Sequence, residues 1–249
     1  MLKIAIIGAL GKMGKEVLAA IEEKSSYFKA TLLIDKKETD NIKTFDFALN
    51  LKDLDCDGII DFSSNEGTKN ALELAKKFKK PLVIGTTALE KETISKAKEY
   101  SKDIPIIISS NFSIGISTIK RILPKFVELL RDYDIELIEA HHKYKKDAPS
   151  GTALTLLETI AKEYDKEVNI KRENTSFLEL NIKDKKIKVH AIRSGDIIGE
   201  HEIIFANNNE VIKISHSAIS RKVFAFGALK AISFLANKEN GFFTMEDIV

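Results

Sequence analysis

Up to Asn111 the chain alternates short runs of consecutive apolar residues with longer stretches in which apolar residues recur every third or fourth place. The run 2–7 is closed by Gly8 and has the pattern of a strand buried on both faces of a parallel sheet. Met13, Val17, Leu18 and Ile21 then fall at helical spacing and predict a helix over 12–23. The same reading gives strands over 30–34, 58–62, 82–84 and 104–108, with helices over 65–80, stopped by Pro81, and over 90–100. The stretch between Asp35 and Gly58 has no such period and reads as irregular. Strands alternating with helices of this length predict a doubly wound parallel α/β sheet.

Past Asn111 the rhythm changes. A long helix over 114–130, a strand over 135–140, a polar loop and a helix from Thr152 precede three successive strand patterns, 186–192, 200–206 and 210–216. In the first of these, Ile187, Val189 and Ala191 alternate with Lys186, Lys188 and His190, so one face is wet. This is the grammar of a second, α+β unit. The last helix, over 225–236, is apolar nearly all round and needs a large surface to cover, for which the first unit's sheet is one candidate.

Composition narrows this picture. At about 150 residues per domain, 249 residues suit two modest units. With 44% hydrophobic and 31% charged residues the chain reads as soluble and globular. Thirty-nine Lys and Arg against 37 Asp and Glu leave +2, which argues against a surface built for nucleic acid or anionic lipid but leaves room for a local basic pocket. No apolar stretch approaches the roughly 18 residues that span a bilayer, and the start of the chain lacks a secretory pattern. The single cysteine, Cys56, excludes an intrachain disulfide and two-cysteine zinc or redox motifs, so a cytoplasmic home is expected.

Candidate chemistry begins between the first strand and the first helix. Gly8, Ala9, Leu10, Gly11, Lys12, Met13 and Gly14 form a G-x-x-G-x-x-G loop where a phosphate-cradling turn belongs, a plain strand-to-helix turn being the alternative. Asp35 ends the second strand 21 residues after Gly14, close to the roughly 20 expected of a carboxylate that binds adenosine ribose hydroxyls. Lys36 and Lys37 can pair with a 2′-phosphate or be solvated loop residues, so a nicotinamide nucleotide is expected with NADH and NADPH both open. Gly85, Thr86 and Thr87, and Ser109, Ser110, Asn111 and Phe112, end later strands at the ligand-binding edge and are expected as further cofactor contacts, with Phe112 offering an aromatic face; helix capping and turn chemistry is the alternative.

In the second half, adjacent His141 and His142 precede Lys143, Lys145 and Lys146, concentrating proton-transfer groups and positive charge in one loop. Adjacent strand residues face opposite ways, so the two histidines have different jobs or the loop bends. No metal is expected, because no third ligand is suitably spaced. Ser150, Gly151 and Thr152 open the following helix, where beside the His-His-Lys loop an anion site suited to a carboxylate is expected, a plain N-cap being the alternative.

The run from Glu139 to Ala153, E-A-H-H-K-Y-K-K-D-A-P-S-G-T-A, closely resembles the signature of the dihydrodipicolinate (4-hydroxy-tetrahydrodipicolinate) reductase family of lysine and diaminopimelate biosynthesis. The resemblance continues through G-A-x-G-x-M-G, Asp61-Phe62-Ser63, Gly85-Thr86-Thr87, Asn111-Phe112-Ser113, the run from Arg193 to His201, and Ser220-Arg221. It implies a Rossmann-like dinucleotide-binding domain, 1–112 completed by 221–249, with an inserted α+β substrate-binding and oligomerisation domain over 113–220. It further implies His141 as general acid with Lys145 as partner, and a dicarboxylate held by His142, Ser150, Gly151 and Thr152. NAD(P)H is then bound by the loops named above, and the enzyme is a homotetramer. Two rivals are another NAD(P)-dependent reductase of amino or keto acids, and a nucleotide sensor without turnover. The chain departs from the family pattern at Lys12, where arginine is usual, at Ala88, where glycine is common, and at Phe226, where a polar or basic residue is usual.

Overall fold

The computed structural model describes residues 1–165, 168, 170 and 174–249. In chain order its elements are β1 (Leu2–Ile7), α1 (Lys12–Glu23), β2 (Phe28–Ile34), α2 (Phe45–Leu49), β3 (Gly58–Asp61), α3 (Asn65–Phe78), β4 (Leu82–Ile84), α4 (Lys91–Tyr100) and β5 (Pro105–Ile108). They continue with α5 (Ile114–Leu129), β6 (Asp134–His141), α6 (Gly151–Ala161), β7 (Phe177–Ile182), β8 (Lys185–Arg193), β9 (Glu200–Ala206), β10 (Val211–Ser217), α7 (Lys222–Leu235) and β11 (Gly241–Phe243). The chain divides into two compact units, Met1–Ile114 with Arg221–Val249, and Gly115–Ser220.

In the first unit six parallel strands lie in the order β11-β5-β4-β3-β1-β2. Alternate residues of a strand point to opposite faces, so the apolar run of β1 serves two cores. Ile4 and Ile6 join Ile60, Val83 and Ile107 beneath α1 and α7, while Ala5 and Ile7 join Ile59, Leu82, Ile84 and Ile106 beneath α3 and α4. The apolar α7 is thereby accounted for: Ala228, Ile232 and Leu235 are buried in the first of these cores. With β2 on one side of β1 and β3 on the other, strand order reverses at β1, and the crevice beyond its carboxyl end is where open α/β sheets bind ligands.

Several elements differ from the sequence expectation. The irregular stretch holds the short α2, capped by Thr44, whose hydroxyl accepts the Phe47 N–H. Helix α3 ends at Phe78, two residues early, because Lys79 turns left-handed (φ 52°) ahead of Lys80 and Pro81, which disfavours helix at the residue before it. The three-residue β11, too short to show a period, adds a sixth strand beside β5.

The second unit is a five-stranded mixed sheet in the order β10-β9-β6-β8-β7. Strand β6 pairs parallel with β8 and antiparallel with β9. Leu137, Ile187, Val189, Ile203 and Phe205 turn one face onto α5 and α6, where Leu123, Val127, Leu156, Leu157 and Ile160 complete the core. The other face is polar, as at Glu136, which accepts from Lys188 (2.8 Å) and lies 2.7 Å from His190 Nε2. Among the described residues of this unit four strands follow α6 where three were expected, because β7 forms a hairpin with β8 that turns at Lys183 (φ 52°).

Candidate active site

The glycine loop lies at the carboxyl end of β1. Gly8 is left-handed (φ 78°), and a Cβ there would fall 2.3 Å from the Phe62 carbonyl oxygen. At Gly14 a Cβ would fall 2.2 Å from the Gly8 carbonyl oxygen, so the turn closes only with glycine at both places. Helix α1 starts at Gly11 without a side-chain cap and with no acidic residue in its first turn. No carboxylate of the helix's own first turn therefore quenches its N–H groups and positive dipole end, and this cradle fits a diphosphate. Ala9 is buried, Leu10 and Lys12 are exposed, and Met13 packs on the core beneath α1. The Asp35 carboxylate accepts the N–H of Leu10 (2.9 Å) and of Lys36 (2.7 Å), which ties the end of β2 to the loop.

The neighbouring strand ends are less uniformly outward than their sequence implied. Thr86 faces inward: its hydroxyl donates to Asp61 (3.1 Å) and accepts the Ser63 N–H (2.9 Å). Asp61 is fully buried and also accepts hydroxyl hydrogen bonds from Ser63 and Thr68; burial pushes its carboxyl up, and those bonds oppose the shift. Gly85 abuts the Phe62 ring, and Thr87 is exposed. Ser109 donates to the Asn111 carbonyl (2.6 Å), and Ser110 is exposed. Phe112 is 2% exposed and packs edge-on against Phe62, so its ring belongs to the core and does not present the aromatic face expected of it.

In the second unit His141 is the last residue of β6, one place further into the strand than expected. Its Nδ1 lies against Glu139 Oε2, and its ring meets His201 edge-on at 5.4 Å. Glu139 is fully buried; it accepts both terminal nitrogens of Arg193 (3.0 and 2.7 Å) and the Ser150 N–H (2.9 Å). Burial pushes this carboxyl up, yet the hydrogen bonds from His141, Arg193 and Ser150 outweigh it and hold it at about 2. His201 is pushed down to about 3 by burial and by the neighbouring His141.

Ser150 caps α6: its Oγ accepts the Ala153 N–H (3.1 Å) and lies 3.1 Å from His201 Nε2. Gly151 and Thr152 form the outward part of that helix start, and a Cβ on Gly151 would meet nothing within 4 Å. Lys145 pairs with Asp147 (2.9 Å), holding that carboxyl below its usual range against a burial that pushes it up. The loop 141–146 is tied to 193–195 by Ser194 N–H to the His141 carbonyl (2.9 Å) and Lys143 N–H to that of Gly195 (3.1 Å). His142 Nδ1, Arg193 Nε and His201 Nδ1 are buried without a hydrogen-bond partner. A cavity of about 400 Å³ at the start of α6 is lined by Lys146, Asp147, Pro149, Gly151, Leu154 and Asn174. Among the described residues no cluster of His, Cys, Asp or Glu is arranged to hold a metal ion, and no helix is long and apolar enough to cross a membrane.

Glu139, Arg193 and His201 lie within the motifs that carry the family resemblance, but nothing in the sequence alone places the three together in the site. The available signal was an acidic residue inside an apolar strand, two places from His141 and so on the same face.

A parallel sheet with a glycine cradle at its switch point, carrying an inserted α+β unit with a histidine–carboxylate pair beside a helix start, defines a two-unit oxidoreductase of Rossmann type. Residues 2–112 match the family described as dihydrodipicolinate reductase, N-terminus, and residues 115–249 match dihydrodipicolinate reductase, C-terminus. The chain belongs to the dihydrodipicolinate reductase family.

Its full-length relatives include the 4-hydroxy-tetrahydrodipicolinate reductase of Caldanaerobacter subterraneus subsp. tengcongensis, 41% identical, and that of Clostridium botulinum, 42% identical. Each alignment covers 100% of this chain and 98% of the relative. Among solved structures, a dipicolinate-bound dihydrodipicolinate reductase from Paenisporosarcina sp. TG-14 superposes with a TM-score of 0.78 at 21% identity, covering 100% of both chains, and shares the fold.

Proposed function

We propose that the protein reduces 4-hydroxy-tetrahydrodipicolinate to tetrahydrodipicolinate with NADH or NADPH, in lysine and diaminopimelate biosynthesis. The observation that carries this reading is the stretch 141–152. It gathers His141, Lys145 and the open start of α6 beside buried nitrogens that lack partners, a proton donor together with groups for a small dicarboxylate. The reductase names of the full-length relatives support it.

On this reading 1–112 completed by 221–249 is the dinucleotide domain, and 113–220 binds substrate and joins four copies into a cytoplasmic homotetramer. Gly8, Ala9, Leu10, Gly11, Lys12 and Met13 hold the diphosphate and Asp35 the adenosine ribose. Gly85, Thr86, Thr87, Ser109, Ser110, Asn111 and Phe112 line the rest of the nucleotide, with Thr86 and Phe112 acting from inside the fold. When bound, the nucleotide supplies a hydride. His142, Gly151 and Thr152 bind the substrate carboxylates on a turn that Ser150 fixes. Because the product lacks the substrate's 4-hydroxyl, that group leaves as water, and His141, with Lys145, donates the proton that quenches the electron density left on the reduced ring.

Oxidation of NADH and NADPH, with substrate made in place by the preceding synthase, tests this directly. Turnover is expected only when the cyclic imine is present, and His141→Ala should lower it by about 10²- to 10⁴-fold with nucleotide affinity unchanged. Unchanged turnover with a weaker KM would remove His141 from the acid role. Nucleotide binding without oxidation would make the protein a sensor.

A further inference from the structure

We propose that Glu139 is a positioning residue that fixes which nitrogen of His141 faces the substrate and holds that ring in register with the anion-binding start of α6; this rests on His141 being the proton donor.

Glu139 and His141 lie on the same face of β6, and the Glu139 side chain has no solvent exposure. Four donors converge on its two oxygens. Oε2 receives His141 Nδ1 and Arg193 Nη1, while Oε1 receives the Ser150 N–H and Arg193 Nη2. The guanidinium is itself anchored by donating to the carbonyls of Asp147 (2.6 Å) and Ile192 (2.7 Å). A carboxylate held at about 2 stays ionised in any working buffer and can only accept, so the proton of a neutral His141 ring sits on Nδ1.

That leaves Nε2 as the working edge: the proton given to the substrate is the Nε2–H of the imidazolium, and the neutral ring left behind keeps its remaining proton on Nδ1 against Glu139. The chain keeps this edge clear, for the residue opposite is Gly199, where a Cβ would approach Nε2 to 3.1 Å. The charged or titratable groups facing the ring are Glu139 on its own strand, Arg193 on β8 and His201 on β9, while Lys145 in the loop is paired with Asp147. His201 stays neutral above about pH 3 and adds no charge beside the ring. Neutralising Arg193 alone would not require the contact to His141. The same carboxylate also takes the Ser150 N–H, which links the proton-donating ring to the helix start proposed to bind the substrate's carboxylates.

Glutamine cannot replace this carboxylate. In either rotamer its amide nitrogen would face two donors: the Ser150 N–H and one Arg193 nitrogen, or His141 Nδ1–H and the other. Steady-state kinetics of E139Q and E139D, together with 15N spectra of histidine-labelled protein, test the idea. The His141 signals are assigned by their loss in H141N. In the wild type the neutral ring should be protonated on Nδ1. E139Q should lose that tautomer preference and about 10²-fold in kcat, with the nucleotide KM unchanged, and E139D should recover part of the rate.

A wild-type ring protonated mainly on Nε2, or an E139Q variant with wild-type kcat, overturns the proposal. If E139Q does not fold, the wild-type tautomer and E139D decide it. Wild-type turnover in H141N is a separate outcome that removes the acid assignment itself.

Discussion

Ala88 departs from the resembling family's glycine, and the structure gives the departure a physical cost. It is left-handed at φ 56°, where a Cβ crowds the following carbonyl. Ala88→Gly should therefore stabilise the protein by roughly 1 kcal/mol, the relieved strain exceeding the added chain entropy. Urea denaturation would show this as a higher midpoint at unchanged slope.

His201 makes a second prediction at this scale. Burial and then His141 depress it from 6.5 to about 3. Between those values the unfolded chain takes up a proton that the folded one refuses, so stability falls as pH drops from 6.5 toward 3. Glu139, depressed from 4.5 to about 2, adds a further loss as pH falls below 4.5. His201→Asn should flatten the limb above pH 4.5, where the histidine contributes up to about 1.4 kcal/mol per pH unit; unfolding free energies across that range check it. The sequence displayed five histidines but not which of them is dry. Burial depends on what the rest of the chain places around a residue.

At the scale of elements, long apolar periods were legible. The helix at 12–23 and the strand at 2–7 match α1 and β1 residue for residue, because the helix carries its own period and the strand is one apolar run closed by Gly8. Strands β7 and β11 were missed. The first alternates over Leu178 to Ile182 but is short and runs straight into the charged stretch 183–186, and the second is three residues long and exists only because β5 offers an edge. Helix α7 announced through its composition that it must be covered, but not how closely. A Cβ on Gly227 would fall 1.7 Å from the Phe112 carbonyl oxygen, so the helix meets the backbone there. Gly227→Ala should push α7 off that contact and cost about 1–3 kcal/mol or more, seen as a lower Tm.

For the whole molecule, the first unit is assembled from both ends of the chain. Its core includes Leu229, Ile232, Leu235 and Met245, contributed after the inserted unit. Each buried side chain of this kind is worth about 1.5–3 kcal/mol, so their loss rivals the roughly 5–15 kcal/mol that holds a domain folded. A fragment of residues 1–114 should show no cooperative thermal transition by circular dichroism, and adding a peptide of residues 221–249 should restore one. A cooperative melt of the fragment alone would contradict this account.

The sequence by itself determined the alternating sheet architecture, the glycine cradle, and the loop that carries His141, Lys145 and the α6 start. These are local features, in which a strand, a turn and the first residues of a helix adjoin along the chain. Only the tertiary structure decided that His141 stands opposite Arg193 and Glu139 opposite His201. Glu139 and Arg193 are 54 positions apart and Ser150 and His201 are 51 apart, so their meeting depends on the register of three strands. That register is fixed by burial of alternating apolar residues against α5 and α6, and the buried carboxylate is stable only because the register brings its donors to it.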